Sequence, residues 1–132
     1  MPLLKDVRSR EPVDLTPGLT TRLRFDGVLV KDTVTGQEVF LQGPVDLAKY
    51  ETLTFSGTNP TSGQAWTREG VGFHAVQENG FPVDKVYRAV GVRFIQQLRG
   101  DLENGSYLKT EYAITPVGDP PRTTYQIQRS IV

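Results

Sequence analysis

The chain has no cysteine among its 132 residues. That excludes disulfides, thiolate nucleophiles and Cys-based zinc or iron–sulfur sites together, so the fold stands on packing and hydrogen bonds. It has one histidine, and any Ser-His-Asp or His-metal site would have to run through His74. Charge of either sign is not in excess: fifteen basic and fifteen acidic residues give a formal net charge of zero. No global field draws such a chain onto nucleic acid or an anionic membrane. No apolar run approaches the roughly 20 residues of a membrane helix, and MPLLKDVRSREP lacks the apolar centre of a signal peptide. The expectation is a soluble protein made in the cytoplasm.

What is present is turn chemistry and β-branching. Thirteen glycines and nine prolines accompany many Thr and Val, a composition of short strands rather than long helices. The length suits one domain able to bury roughly two thirds of its unfolded surface. Residues 1–18 carry Pro2, Pro12 and Pro17 and no sustained period, so an extended N-terminal arm is expected there, with a single β domain over 19–132. Leu3, Leu4, Val7, Val13 and Leu15 recur along the arm, and so short a segment cannot bury them against itself.

From Leu19 the pattern alternates. Leu19, Leu23 and Phe25 are expected to mark one face, and Asp26-Gly27 a turn or bulge. VLVKDTVTGQEVFLQ reads as a hairpin around Asp32 to Gly36, where an Asp can cap the loop and Gly can close it. The segment VFLQGP at 39–44 resembles a picornaviral cysteine-protease site, but Phe40 and Leu41 stand in reversed order. A return strand ended by Gly43-Pro44 accounts for it, since proline cannot continue the ladder. A turn over Asp46 to Tyr50 leads to a strand with Leu53 and Phe55. TNPTSGQAWTREG reads as a loop with Trp66 near its end, GVGFHAVQ as a strand, and Asn79-Gly80 as a hairpin turn. FPVDKVYRAVGVRFIQQL suits either period. Strand is the expectation, because Gly91 would weaken a helix at its middle. A turn at Asn104-Gly105 and a terminal hairpin of SYLKTEYAITP with TTYQIQRSIV complete the pass.

Chemical signatures are few. His74 sits mid-strand with no ligand at metal-like spacing, which reads as a partly buried histidine satisfied by hydrogen bonds. Glu38, Asp46, Glu51, Glu69, Asp84 and Glu111 are scattered, without the facing pair that glycoside chemistry needs. GVG at 70–72 lies in a strand pattern and lacks the helix and lysine of a phosphate loop. Arg88 and Arg93 with Tyr87 are the nearest approach to a nucleic-acid surface, diluted by acids elsewhere. Trp66, with Tyr50 as companion, could stack on a sugar ring, although a lone Trp also plugs core edges.

Two resemblances bear on architecture. DLAKYETLTFSG at 46–57 resembles the turn-and-strand phrase of galactose-binding-like jelly rolls, which implies a jelly-roll sandwich more than sugar binding. The whole chain, with MPLLKDVRSREPVDL before a set of strands, resembles the capsid cement or decoration proteins of tailed-phage virions. The fold expected is therefore all-β, a β-sandwich or jelly-roll-like barrel with an extended arm. The implied role is non-enzymatic, without cofactor, metal, nucleic acid or membrane. Partners would be copies of itself, as a trimer, and other virion proteins. Leu3, Leu4, Val7, Arg8, Arg10 and Val13 would be the partner-binding residues, in a virion assembled in the host cytoplasm. The alternative is a carbohydrate-binding or adhesion module using Trp66 and Tyr50. An enzyme would need a cleft holding His74 against two carboxylates.

Overall fold

The computed structural model describes residues 10–59, 61–90, 92–118 and 124–132, and of residues 92–94 the backbone alone. In chain order the elements are β1 (Glu11–Pro12), β2 (Thr21–Asp32), β3 (Glu38–Leu41), β4 (Tyr50–Glu51), β5 (Leu53–Thr58), β6 (Ala65–Glu78) and β7 (Phe81–Val90). There follow helix α1 (Val92–Asn104), a 3₁₀ turn (Ser106–Lys109), β8 (Thr110–Val117) and β9 (Thr124–Ile131). The fold is all-β and sandwich-like, built on one mixed sheet whose main path runs β1-β7-β6-β2-β8-β9. β1 lies parallel to β7, while the β2–β3, β2–β6, β6–β7, β2–β8 and β8–β9 ladders are antiparallel.

The two long strands organise the rest. β2 and β6 pair from Leu23↔Glu78 to Leu29↔Gly72 and then diverge. β4 and β5 enter the fork, β4 on Lys31 and Asp32 of β2, and β5 along Ala65 to Gly70 of β6. The expected irregularity at Asp26-Gly27 is a bulge: the β2–β6 register shifts between Phe25 and Gly27. One extra residue reverses the alternation. Leu23 and Phe25 before it therefore share the main core with Val28 and Val30 after it, while Leu29 joins a smaller cluster with Leu53, Phe55 and Val86.

The main cluster includes Phe73, Ala75, Tyr87, Ala89, Tyr112 and Ile114 from the sheet, with Leu98 and Leu102 of α1, Tyr107 and Val45. Phe25 stacks on Phe73 at 4.5 Å between ring centroids and on Tyr112 at 5.6 Å. Each such fully buried side chain contributes roughly 1.5–3 kcal/mol. The Tyr107 hydroxyl donates to the carbonyls of Leu41 and Gly43, at 3.2 and 2.9 Å. The protease-like segment is thus a strand and its terminator, fastened to the core by a tyrosine.

Three expectations are corrected. The stretch from Phe81 is a strand only to Val90, and 92–104 is helical, with Leu98 and Leu102 buried one turn apart. Trp66 stands in β6 rather than in a loop, since that strand begins at Ala65. The domain also begins before residue 19: Glu11 and Pro12 pair with Lys85 and Val86, Val13 N–H donates to Val86 O at 2.9 Å, and Val13 is buried.

Candidate functional site

Period-two alternation that turns Phe73 and Ala75 into the main core leaves His74 on the reverse face of β6. The β2 bulge leaves Asp26 outside the register, since Gly27 faces His74, and aims its carboxylate at the imidazole. Nδ1 of His74 stands 2.6 Å from Asp26 Oδ1, and Nε2 stands 2.6 Å from Asp84 Oδ1 on β7. Phe40 of β3 meets the imidazole edge-on at 6.1 Å. Its ring also lies across Gly27, where a Cβ would come within 2.3 Å of Phe40 Cζ.

Those distances define the protonation state. A neutral imidazole offers one N–H and one lone pair, whereas two carboxylates at this range need two donors. His74, whose side chain is 12% exposed, can donate to both carboxylates at once only as an imidazolium. Burial pulls its pKa down, but the hydrogen bonds and charges of Asp84 and Asp26 outweigh burial and raise it above the usual histidine value. Arg10 adds a second cation at Asp84, its Nε 3.3 Å from the oxygen that His74 uses. That nitrogen has no well-formed hydrogen bond, so the pair is held by charge alone.

The site joins a histidine to two carboxylates, as an enzyme would require, and its chemistry is that of a clasp. Both ring nitrogens are occupied, so neither has a lone pair for general-base work. The carboxylates approach opposite nitrogens and cannot converge on one ion. Among the described residues no group of three His, Cys, Asp or Glu side chains could hold a metal. What the clasp does is tie β2, β6 and β7 to the first described residue of the arm.

Three of the other acids have structural posts. Asp46 Oδ1 accepts from Ala48 N–H at the turn, Glu51 lies 3.6 Å from Lys31, and Glu69 accepts from the Thr52 hydroxyl at 3.5 Å. Tyr87 is buried in the main core, whereas the Arg88 guanidinium lies 5.6 Å from the Phe55 ring centroid in the smaller cluster. The two residues serve different faces and form no platform; the Arg93 side chain is outside the described residues. Trp66 is 36% exposed and crosses Gly57, where a Cβ would meet its Cζ2 at 2.6 Å. It lines a depression with Asn59, Gln64 and Arg68, while Tyr50 lines another against α1, so the structure does not bring Trp66 and Tyr50 together.

Of the six arm residues, Leu3, Leu4, Val7 and Arg8 lie outside the described residues. The structure places Val13 in the domain's own core and Arg10 against Asp84. Those two anchor the arm to its own sheet rather than facing a partner. No protein-family model, curated protein or solved structure matches the chain.

Proposed function

We propose that this chain is a non-enzymatic structural protein of a virus particle, a cement or decoration component that holds its neighbours through its β domain and N-terminal arm. The observation that carries the reading is the arm root. Arg10 at Asp84, β1 on β7 and buried Val13 root the described part of the arm on the domain's own sheet. Nine residues reach at most about 30 Å, enough to engage an adjacent subunit. Ordering them costs roughly 1–2 kcal/mol per residue in backbone entropy, which a fixed root reduces and repetition over a shell offsets. Leu3, Leu4 and Val7 are the apolar contacts, Arg8 a charge contact, and a trimer is the assembly expected on the particle. The saturated imidazole of His74 supports a role without catalysis.

The test is mass spectrometry of purified particles from a virus encoding the chain, with wild-type protein and with Leu3→Asp, Leu4→Asp and Val7→Asp combined. Wild-type chain should copurify in many copies and the variant should be lost. Absence of the wild-type chain from the particles sinks the virion role, and retention of the variant sinks the arm.

A second reading, a carbohydrate-binding module, draws on the half-exposed Trp66 beside Asn59, Gln64 and Arg68. It requires a glycan that binds the purified chain and is lost with Trp66→Ala; a blank glycan screen removes it.

A further inference from the structure

β9 closes one end of the sheet path and pairs with β8 alone among the described residues. Val132 N–H donates to Lys109 O at 3.0 Å, which fixes the parity of that ladder. Peptide groups of Ser130, Gln128 and Gln126 face β8, and those of Ile127, Arg129 and Ile131 face away from it. Sheet edges of this length are ordinarily blunted by lysine, proline, a bulge or an inward charge. The sequence TYQIQRSI over Thr124–Ile131 has no proline and a single charge. That charge is engaged within the chain, since Arg129 Nε donates to Asp101 at 2.8 Å and another guanidinium nitrogen donates to Gln97 O. Beside it Ile131 is 92% exposed and Val132 54%.

The geometry points to β9 as the surface on which a second copy of this chain docks, β9 against β9, antiparallel across a two-fold axis at Gln128. Only a register that pairs outward-facing residues with each other lets every outward amide meet a carbonyl. Centring on Gln128 does this for Ile127, which faces Arg129 of the second copy on either side of the axis, and it sets Ile131 beside Tyr125. The exposed Ile131 then covers a tyrosine that is half-buried and packed on the main core. The single arginine of each strand meets an isoleucine, so no like charges oppose. A second copy fits better than a foreign strand because the two-fold satisfies both edges with one set of groups. One strand pair buries less than the roughly 1,200 Å² of a standard interface, so the dimer is concentration-dependent. The contact does not use residues 1–9, and it stands or falls apart from the arm.

The absence of native cysteine gives a direct test in the full-length chain. Across the axis two Gln128 residues form a non-hydrogen-bonded pair with Cα atoms about 4.5 Å apart, within disulfide range. Gln128→Cys should oxidise to a covalent dimer at least about tenfold faster than Ser130→Cys, whose partner position is Gln126. Ile131→Lys added to Gln128→Cys should abolish the difference, and sedimentation of the wild type should show monomer and dimer exchanging with concentration. Equal, slow oxidation at both positions, or a wild type monomeric up to about 1 mM, overturns the proposal. Loss of the cross-link when Leu3→Asp, Leu4→Asp and Val7→Asp are added shows that the arm, not the β9 edge, carries the association and also overturns it.

Discussion

Asp84 holds His74 by Nε2 at 2.6 Å and Asp26 holds Nδ1 at the same distance, and the imidazole can donate to both at once only while it is charged. The pKa of His74 is raised in the fold, so the clasp stabilises fully below the ordinary histidine value of about 6.5 and is lost as pH rises through the raised value. The unfolding free energy from urea curves should therefore fall as pH rises above about 6.5, by about 1–2 kcal/mol given the half-exposed carboxylates. His74→Gln should be less stable at the lower pH and should lack that slope. A wild type with a flat profile, or a variant keeping the slope, removes the charged clasp.

Two glycines should respond to alanine with opposite sign. At Gly70 a Cβ would stand 2.4 Å from the carbonyl oxygen of Ala89 and 2.9 Å from Val90 Cγ1, and the backbone oxygen cannot swing away. Gly70→Ala should cost about 1–3 kcal/mol. Gly100 lies exposed in α1 with nothing within 4 Å of its Cβ position, and Gly100→Ala should gain about 0.5–1 kcal/mol. Denaturation of both variants beside the wild type decides it, and a neutral Gly70→Ala would mean that the β6–β7 pair is looser there.

The same ladder shows where sequence reasoning reached its limit. Asn79 and Gly80 announce the hairpin, and both adopt positive φ, 52° and 84°. A register read outward from Glu78↔Phe81 would set His74 opposite Lys85 and send Asp84 to the other face. The shift between Ala75 and Gln77 instead sets His74 opposite Val86 and brings Asp84 to its side. Bulges leave no strong mark in a sequence without a flanking glycine, so the bulge at Asp26-Gly27 was legible and this one was not. α1 was hidden for another reason. Alternation in Val86 to Val90 and helical spacing in Ile95, Leu98 and Leu102 abut, and a single period imposed on both extends the strand. The hairpin at Asp32 to Gly36, the terminal β8–β9 pair and the all-β class were legible because turn residues punctuate them.

The arm root should be measurable by exchange. Val13 N–H donates to Val86 O and the side chain is 8% exposed, so the Val13 amide should be among the slow exchangers of the N-terminal segment. Val13→Asp buries a charge without a partner and should release the root, raising exchange at Val13 with a loss of about 2–4 kcal/mol. Arg10→Ala should change stability by less than about 1 kcal/mol, because the pair with Asp84 is largely exposed. A fast Val13 amide in the wild type would separate the arm from its sheet.

β9 is fastened to α1 by Arg129, which donates to Gln97 O and to the Asp101 carboxylate. Asp101 Oδ2 accepts from the Tyr112 hydroxyl at 2.6 Å and from Arg129 Nε at 2.8 Å. Burial pushes its pKa up, but those two bonds and the arginine charge prevail and hold it below the usual carboxylate value. A depressed pKa gives stability that is present above the ordinary value of about 4 and lost as pH falls through the lowered one. Asp101→Ala leaves the hydroxyl of buried Tyr112 without this acceptor and should cost about 2–3 kcal/mol at neutral pH, whereas Tyr112→Phe leaves Arg129 in place and should cost about 1 kcal/mol. Below about pH 3 the gap between wild type and Asp101→Ala should narrow, since protonation removes in one what substitution removes in the other. An unchanged gap would show that the aspartate acts through packing rather than through its charge.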